Sequence, residues 1–257
     1  MKDGLTALVL AGSRAGGDPL ADYAGASHKA LIEIADQTMI EHVVGALARA
    51  PEVSRIVIVI ERPEILAGLA GLQSPACSKP VTTMPAADGP SASVGAALRM
   101  LGTPLLVTTG DHPLLRPDWI SDFIARSAGE ADVTVALSDR AAIETAVPDT
   151  QRTWLRFSDG DFSGCNIFLM RRPAAAGVVR LWQQIEAERK HPIRMILRLG
   201  VGYALRYKTG RLSLRDALKR LGELASARIA EVLMPDGRAA VDVDKPADLD
   251  LVRRLMR

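Results

Sequence analysis

The fold is decided by the stretch LTALVLAGSRAGG, residues 5–17. An apolar run there leads directly into a turn of small residues, which is the pattern of a buried strand followed by a glycine-rich loop. Three further runs are too short for helices and too apolar for exposed strands, at residues 56–60, 105–109 and 133–137. Strands that are apolar on both faces belong to a parallel sheet covered on both sides. We therefore predict that these four runs form the centre of such a sheet.

Amphipathic helices separate the predicted strands. Apolar residues recur at intervals of three and four at 40–47 and again at 94–101, which is the spacing of one helix face. The tripeptide GPS at 89–91 supplies a breaker and a capping hydroxyl before the second helix, and Pro117 stands where a first-turn proline opens a third. This alternation of strand and helix is typical of α/β proteins.

The second half of the chain follows a different pattern. After about residue 139, the tetrapeptide SDGD at 158–161 indicates a turn between short extended segments, and helical runs follow at 178–189 and 191–208. The tail returns to the first rhythm with a predicted strand at 239–243, a turn at Lys245-Pro246 and a closing helix. We expect one compact domain whose last strand rejoins the first sheet.

Composition and charge exclude several classes of protein. The 32 Lys and Arg residues nearly balance the 30 Asp and Glu residues, for a net charge of +2, so no nucleic-acid partner is expected. No run of about 18 apolar residues and no secretory leader pattern occurs, which predicts a soluble, cytoplasmic protein without a transmembrane segment. The two cysteines, Cys77 and Cys165, form neither a disulfide framework nor a metal-ligand spacing.

The glycine-rich loop is the first of three stretches suited to chemistry. Its glycines let backbone N–H groups approach phosphate oxygens, and Arg14 and Lys29 could neutralise the phosphate charge. The spacing matches neither a dinucleotide fingerprint nor a Walker loop. The alternative is a flexible connection in which glycine only permits the turn.

Acidic residues dominate the other two stretches. Asp111 follows a predicted central strand, where a carboxylate is well placed to hold a divalent cation, although it could instead cap the turn that Pro113 begins. For His112, a partly solvated neighbour is favoured over a ligand. Asp242 and Asp244 would share one side of a strand and so face one cation, or one of them caps a helix. Together the three stretches suit a Mg²⁺-bound nucleoside triphosphate.

These motifs, in this order, resemble those of the MobA-like nucleotidyltransferases. The matching residues are Leu10-Ala11-Gly12 with Arg14 and Lys29, then Gly110-Asp111-His112-Pro113-Leu114, then DVDKPADL at 242–249. The family includes molybdenum-cofactor guanylyltransferases and relatives that act on sugar, polyol or cofactor phosphates. Ser13 stands where the family usually has a second glycine, and the stretch from Gly12 to Lys29 is longer than is typical.

The resemblance covers residues 1–137 and 239–257 and implies a GT-A-like, three-layer α/β/α Rossmannoid fold. It divides a single nucleotidyltransferase domain, residues 1–257, into a nucleotide-binding half at 1–137, an acceptor-side helical half at 138–238, and a return to the sheet with the metal site at 239–257. The sequence does not decide the oligomeric state, and a homodimer stays possible.

The activity implied by the resemblance is Mg²⁺-dependent nucleotidyl transfer. An oxygen of a small phosphorylated acceptor attacks the α-phosphorus of a nucleoside triphosphate, with CTP or GTP favoured, and pyrophosphate leaves. By resemblance, Lys29, Arg14 and Asp111 are catalytic, and the metal ligands are Asp111 and Asp244, with Asp242 assisting. The nucleotide contacts implied are Leu10, Ala11, Gly12, Ser13, Arg14, Lys29, Gly110 and Asp111.

Two further segments resemble parts of the superfamily's binding sites. Gly89, Ser91 and Ser93 look like the base-contacting loop of its cytidylyltransferases, although helix capping explains the serines equally well. Gly164 and Asn166 resemble a strand that approaches the acceptor, where Asn166 could bind a hydroxyl or simply occupy a glycine turn.

Several features leave alternatives open. Five cations of the second half could meet an acceptor phosphate but are more often a solvated face: Arg152, Arg156, Arg194, Arg206 and Lys208. The run at 193–206 is interpreted as a packed core helix rather than a membrane-surface or dimer helix. The competing functions are a glycosyltransferase of the GT-A type that uses a nucleotide-sugar, and a non-catalytic nucleotide-binding module.

Overall fold

The computed structural model describes residues 4–13, 17–127, 129–148, 150–188 and 200–257. The strands of this part of the chain are β1 (Leu5–Leu10), β2 (Glu33–Ile34), β3 (Gln37–Thr38), β4 (Val53–Val59), β5 (Val81–Met84), β6 (Leu105–Thr109), β7 (Val133–Asp139), β8 (Leu155–Phe157), β9 (Gly160–Met170) and β10 (Ile229–Leu233). Its helices are α1 (Pro19–Ala24), α2 (Met39–Arg49), α3 (Pro90–Leu101), α4 (Pro117–Arg126), α5 (Arg140–Ala146), α6 (Ala175–Ala187), α7 (Val201–Lys208), α8 (Leu214–Ala225) and α9 (Pro246–Leu255).

The main sheet has the strand order β10-β7-β9-β6-β1-β4-β5, with β8 paired to β9. β1 lies between β4 and β6 and is parallel to both, while β9 is antiparallel to β6 and β7. The four predicted central strands are confirmed, and the sheet is mostly parallel. The carboxyl ends of β1, β4, β5 and β6 therefore meet along one edge.

Helices cover both faces of the sheet. Leu5 and Val9 of β1 pack into the same core as Val43 of α2, whereas Leu8 packs into a second core with Val94 of α3. Alternate residues of a strand point to opposite faces, so one apolar run supplies both cores. The three-layer α/β/α fold is confirmed.

Local signals set where the helices begin. Thr38 and Glu41 form a capping box at the start of α2, in which each side chain bonds to the other residue's backbone N–H. Pro90 and Pro117 occupy the first turns of α3 and α4, where a missing N–H costs nothing.

The predicted strand at 239–243 is wrong. Residues Gly237–Ala240 form a 3-10 turn capped by the Asp236 side chain, and the strand that rejoins the sheet is β10, which pairs with β7. A Cβ on Gly237 would lie 2.3 Å from the Ala142 carbonyl oxygen, so the backbone of this turn packs directly on α5. The apolar residues of the segment are buried in a loop rather than in a sheet.

The predicted helical run at 191–208 is described only from residue 200 onward, and its earlier part, with Arg194, lies outside the described residues. In the described part, α7 buries none of its side chains, so the expectation of a packed core helix is wrong there. Gly200, at φ 100°, precedes α7 in a conformation that favours glycine. Among the described residues, no helix is both long enough and apolar enough to cross a membrane.

Candidate active site

The Lys29 side chain contacts one acidic residue from each of the two acidic motifs, Asp111 and Asp244. Its ammonium donates to Asp111 Oδ2 at 2.7 Å and to Asp244 Oδ1 at 2.8 Å. The structure thus brings Asp111, from the middle of the chain, and Asp244, from its C-terminal part, together around one nitrogen. Two carboxylate oxygens that bracket one cation are close enough to share an ion.

Each of these residues is placed by a distinct piece of backbone. Asp111 follows β6, and the preceding Gly110 donates its N–H to the Leu10 carbonyl at 2.8 Å. A Cβ on Gly110 would lie 3.1 Å from the Ala11 Cβ, so glycine permits this close approach. Lys29 opens the 3-10 turn Lys29–Leu31.

Backbone contact also holds the acidic loop in place. The Val243 N–H donates to the Asp111 carbonyl at 2.9 Å. This bond places Asp244 beside Asp111 without a strand, which is why the wrong assignment at 239–243 leaves the predicted neighbourhood intact.

The charges at this point reinforce one another. Burial alone would lower the pKa of Lys29, but the Asp111 and Asp244 carboxylates outweigh it and raise that pKa above its ordinary value. Burial would raise the pKa of Asp244, yet the Lys29 ammonium holds it below its usual range. Near neutral pH the lysine is therefore charged and Asp244 is ionised.

Asp242 belongs to a second, more buried network. The Arg152 guanidinium donates to Asp242, and also to Asp248 Oδ1 at 2.6 Å. Asp248 Oδ2 accepts the backbone N–H groups of Asp244 and Lys245 at 3.2 Å each. Arg152 was expected on a solvated face or against an acceptor phosphate, but here it ties the loop to the start of α9. Its side chain is only 6% exposed.

The pKa of Asp242 is raised, first by burial and then by the nearby negative charges of Asp111 and Asp244. Arg152 opposes this rise. Because its oxygens are engaged by Arg152 and by the Asn166 amide, Asp242 is held beside the Lys29 cluster rather than in it.

The two residues predicted to approach an acceptor lie on β9. Asn166 has a positive φ of 52° where the pairing of β9 with β7 shifts register, and its amide donates to Asp242 Oδ2 at 2.8 Å. A bulge of this kind re-aims a side chain, and asparagine tolerates the left-handed conformation. At Gly164, an added Cβ would meet no described heavy atom within 4 Å, so β9 is open there.

The glycine-rich loop leaves the carboxyl end of β1. Ser13 donates its backbone N–H to Glu61 Oε2 at 3.1 Å, and its hydroxyl lies 3.0 Å from His28 Nε2. Gly12 is exposed, while Ala11 is buried and bonds to the end of β4. Arg14 lies outside the described residues.

The predicted base-contacting loop stands further along the same edge, at the start of α3. The Ser91 hydroxyl donates to Glu186 of α6, and a Cβ on Gly89 would lie 2.8 Å from Glu186 Oε1. Ser93 Oγ accepts the Ala87 N–H at 3.0 Å. Both serines therefore order this loop from inside α3, whose N-cap residue is Gly89 without a side-chain cap, so the capping alternative is wrong. Base contact stays a prediction.

His112 is buried rather than partly solvated. Its ring stacks on Trp119 with a centroid distance of 6.3 Å, and neither ring nitrogen has a partner among the described residues. Burial, aided by the Arg152 charge, lowers the pKa of His112 to about 4. The imidazole is therefore neutral at physiological pH.

Four residues contribute to the site in ways that the sequence patterns did not predict: His28, Glu61, Arg152 and Asp248. Asp248 had a visible signal, since an acidic residue three positions after Lys245 matches the spacing of a cap. The other three owe their positions to partners far away in the chain, which no local pattern reveals.

The family profile described as the MobA-like NTP transferase domain matches residues 7–224. The chain belongs to this family. It is accordingly a nucleotidyltransferase. No curated protein matches the sequence.

Solved structures share the fold of this nucleotidyltransferase over nearly its whole length. A hypothetical transferase from Thermus thermophilus is 29% identical, with a TM-score of 0.80, covering 96% of this chain and 99% of that one. A CMP:2-keto-3-deoxy-manno-octonic acid synthetase complexed with CTP is 16% identical, with a TM-score of 0.59 and coverage of 99% and 98%. A 4-diphosphocytidyl-2C-methyl-D-erythritol synthase from Anaerococcus prevotii is 10% identical, with a TM-score of 0.61 and coverage of 99% and 97%. At such low sequence identity, the last two structures are evidence for the fold alone.

Proposed function

We propose that this nucleotidyltransferase transfers a nucleoside monophosphate from CTP or GTP to a small phosphorylated acceptor, a sugar, polyol or cofactor phosphate, and releases pyrophosphate. The observation that carries the proposal is the Lys29 ammonium held between Asp111 and Asp244, next to the glycine-rich loop. A cation on a carboxylate pair at the carboxyl edge of a parallel sheet suits a metal–triphosphate complex.

The residues present fit Mg²⁺. Asp111 Oδ1 is buried and has no hydrogen-bond partner among the described residues, and the other oxygen of Asp111 already faces a cation. No group of three His, Cys, Asp or Glu side chains suited to a metal occurs among the described residues. Mg²⁺ is usually bound by one or two carboxylates, with waters and phosphate oxygens completing the shell, so Asp111 and Asp244 suffice. Bound there, Mg²⁺ would neutralise triphosphate charge and polarise the α-phosphoryl group.

The protein's own contribution is positioning and charge. Lys29 would transfer hydrogen bonds from the carboxylates to triphosphate oxygens, where negative charge builds up during transfer. Leu10, Ala11, Gly12 and Ser13 would bring backbone groups close to the phosphates, and Arg14 would add a second cation.

The acceptor is assigned to the open side of β9. Gly164 leaves space there, and Asn166 points toward the Asp242 carboxylate. Because β9 pairs directly with β6, the strand that leads to Asp111, an acceptor on β9 would lie beside the triphosphate. We therefore assign both functions to one domain at 1–257, with the nucleotide on the 1–137 half and the acceptor on the 138–238 half.

The nucleotide preference is proposed from the α3 loop and the solved relatives. Gly89, Ser91 and Ser93 order a loop in the position that the resemblance assigns to the base. One solved relative is complexed with CTP, and a second is a synthase named for its diphosphocytidyl product, which supports CTP as the first nucleotide to test.

Pyrophosphate release tests the proposal. The protein is incubated with each of four nucleoside triphosphates, Mg²⁺ and a panel of phosphorylated sugars, polyols and cofactors. We expect acceptor-dependent pyrophosphate with CTP or GTP. Asp111→Asn should abolish it, whereas the matched Asp118→Asn, at an exposed acid paired with Arg116, should not.

Two outcomes would contradict the proposal. Turnover of a nucleotide-sugar without any triphosphate would favour the glycosyltransferase. Triphosphate binding without turnover on any acceptor of the panel would favour a non-catalytic module.

A further inference from the structure

A carboxylate covers the glycine-rich loop. Glu61 follows β4 at the carboxyl edge of the sheet, and its Oε2 accepts the Ser13 N–H at 3.1 Å. A Cβ on Gly12 would lie 3.5 Å from the same oxygen. The Glu61 side chain thus occupies the face of the loop at which a phosphate oxygen is expected.

His28 presents a second donor to the same carboxylate. Its Nδ1 accepts the Ala30 N–H at 3.1 Å, so in the neutral ring Nε2 carries the hydrogen. Nε2 lies 3.0 Å from Glu61 Oε1 and 3.0 Å from Ser13 Oγ. The His28 side chain is only 2% exposed, so its orientation is fixed by the fold.

We propose that Ser13 and His28 form a binding pair for a triphosphate oxygen, and that Glu61 fills this place until the nucleotide displaces it. The inference rests on the proposed function. One backbone N–H cannot serve a carboxylate and a phosphate together, and a carboxylate left beside a triphosphate would repel it.

The exchange leaves no buried donor unpaired. When Glu61 withdraws, the phosphate oxygen accepts the Ser13 N–H and the His28 Nε2–H, the two donors that Glu61 had engaged. The Glu61 side chain is 35% exposed, so its carboxylate can move into water. Displacement therefore avoids the desolvation cost that accompanies a lost buried hydrogen bond.

Ser13, which stands where the family usually has a glycine, has a specific role under this assignment. A glycine there would supply the backbone N–H but not the hydroxyl that lies 3.0 Å from His28 Nε2. The serine hydroxyl thus links His28 to the loop that would meet the phosphate.

Equilibrium binding of Mg·CTP and Mg·GTP, measured by calorimetry, tests the exchange. We expect Glu61→Gln to tighten binding of the preferred triphosphate by about three- to tenfold, since a competing anion is removed. The matched Glu64→Gln removes one negative charge from an exposed position nearby and should change binding by less than about twofold. His28→Asn keeps a side chain that can cap the 29–31 turn but removes the Nε2 donor, so it should weaken binding by about tenfold.

The outcomes separate this inference from the proposed function. Wild-type protein that binds the triphosphate, with Glu61→Gln binding no more tightly than Glu64→Gln, would overturn the exchange and leave the proposed function standing. Unchanged binding by a folded His28→Asn would overturn it as well. Wild-type protein that binds no triphosphate would overturn both. Thermal unfolding of each variant shows that the comparison is made between folded proteins.

Discussion

Replacing Arg152 with methionine removes a buried cation that contacts both Asp242 and Asp248. The Arg152 side chain is 6% exposed and that of Asp248 is 4% exposed, so the Asp248 carboxylate cannot regain water easily. Breaking a buried ion pair by removing one partner costs about 3–5 kcal/mol. Asp248 keeps two backbone N–H donors and Asp242 keeps the Asn166 amide, so we expect the lower end, about 3 kcal/mol.

Equilibrium unfolding in urea measures this loss, and calorimetry should show a melting temperature lower by about 6–12 °C for a chain of this size. Arg140→Met is the matched control. Arg140 also pairs with two carboxylates, those of Glu144 and Asp161, but its side chain is 48% exposed. Surface pairs contribute about 0–1 kcal/mol, so the control should lose little.

The pH dependence of the free energy of unfolding gives a second, independent test of the prediction. Burial and nearby negative charge already raise the pKa of Asp242, and loss of Arg152 would raise it further. A carboxyl whose folded pKa exceeds its unfolded value regains stability as pH falls through the folded pKa. The difference in free energy of unfolding between wild type and Arg152→Met should therefore become smaller as the solution is acidified. The reasoning would be refuted if Arg152→Met lost no more stability than Arg140→Met. It would also be refuted if the difference in stability between Arg152→Met and wild type grew in acid.

Three further outcomes follow from single positions. Lys29→Ala should lower kcat/KM by about 10²–10³-fold in a protein that still folds, because a cation at the triphosphate is lost, and unchanged kinetics would refute its assignment. Gly177→Ala should destabilise by about 1–3 kcal/mol in urea unfolding, since its Cβ would lie 2.0 Å from the Ala225 carbonyl oxygen. In contrast, Gly202→Ala in α7, where an added Cβ meets no described atom within 4 Å, should stabilise by up to about 1 kcal/mol. Burial lowers the pKa of His112 to about 4, so on acidification the unfolded chain takes up a proton before the folded chain does. Between pH 6.5 and 4, the free energy of unfolding of wild type should therefore fall by about 3 kcal/mol more than that of His112→Leu. Parallel pH profiles of the two proteins would contradict this.

The local sequence pattern was sufficient to predict the central strands of the sheet. The apolar runs that became β1 and β6 are buried on both faces, and burial is what an apolar run records. Parallel strands align their carboxyl ends, so the small residues after β1 and the Gly110-Asp111 pair after β6 were bound to meet at one edge. The positions of Gly110 and Asp111 could be predicted for that reason.

The tail shows where such reasoning fails. Its apolar residues are as buried as those of a strand, but they lie in a turn packed on α5. Periodicity reports that a residue is buried and not which element buries it, so a buried loop and a short strand look alike.

Partners across the chain were decided only by the tertiary structure. Lys29 lies 82 residues from Asp111 and 215 from Asp244, and Arg152 lies 90 residues from Asp242. Each of these side chains is polar in the sequence and carries no sign of its partner, because the energy of an ion pair depends on distance and burial in the folded state. The sequence alone therefore determined the sheet and the edge at which the acidic residues meet. Packing of distant segments decided that Lys29 lies between two carboxylates, that Arg152 holds the loop beside them, and that Glu61 lies on the glycine-rich loop.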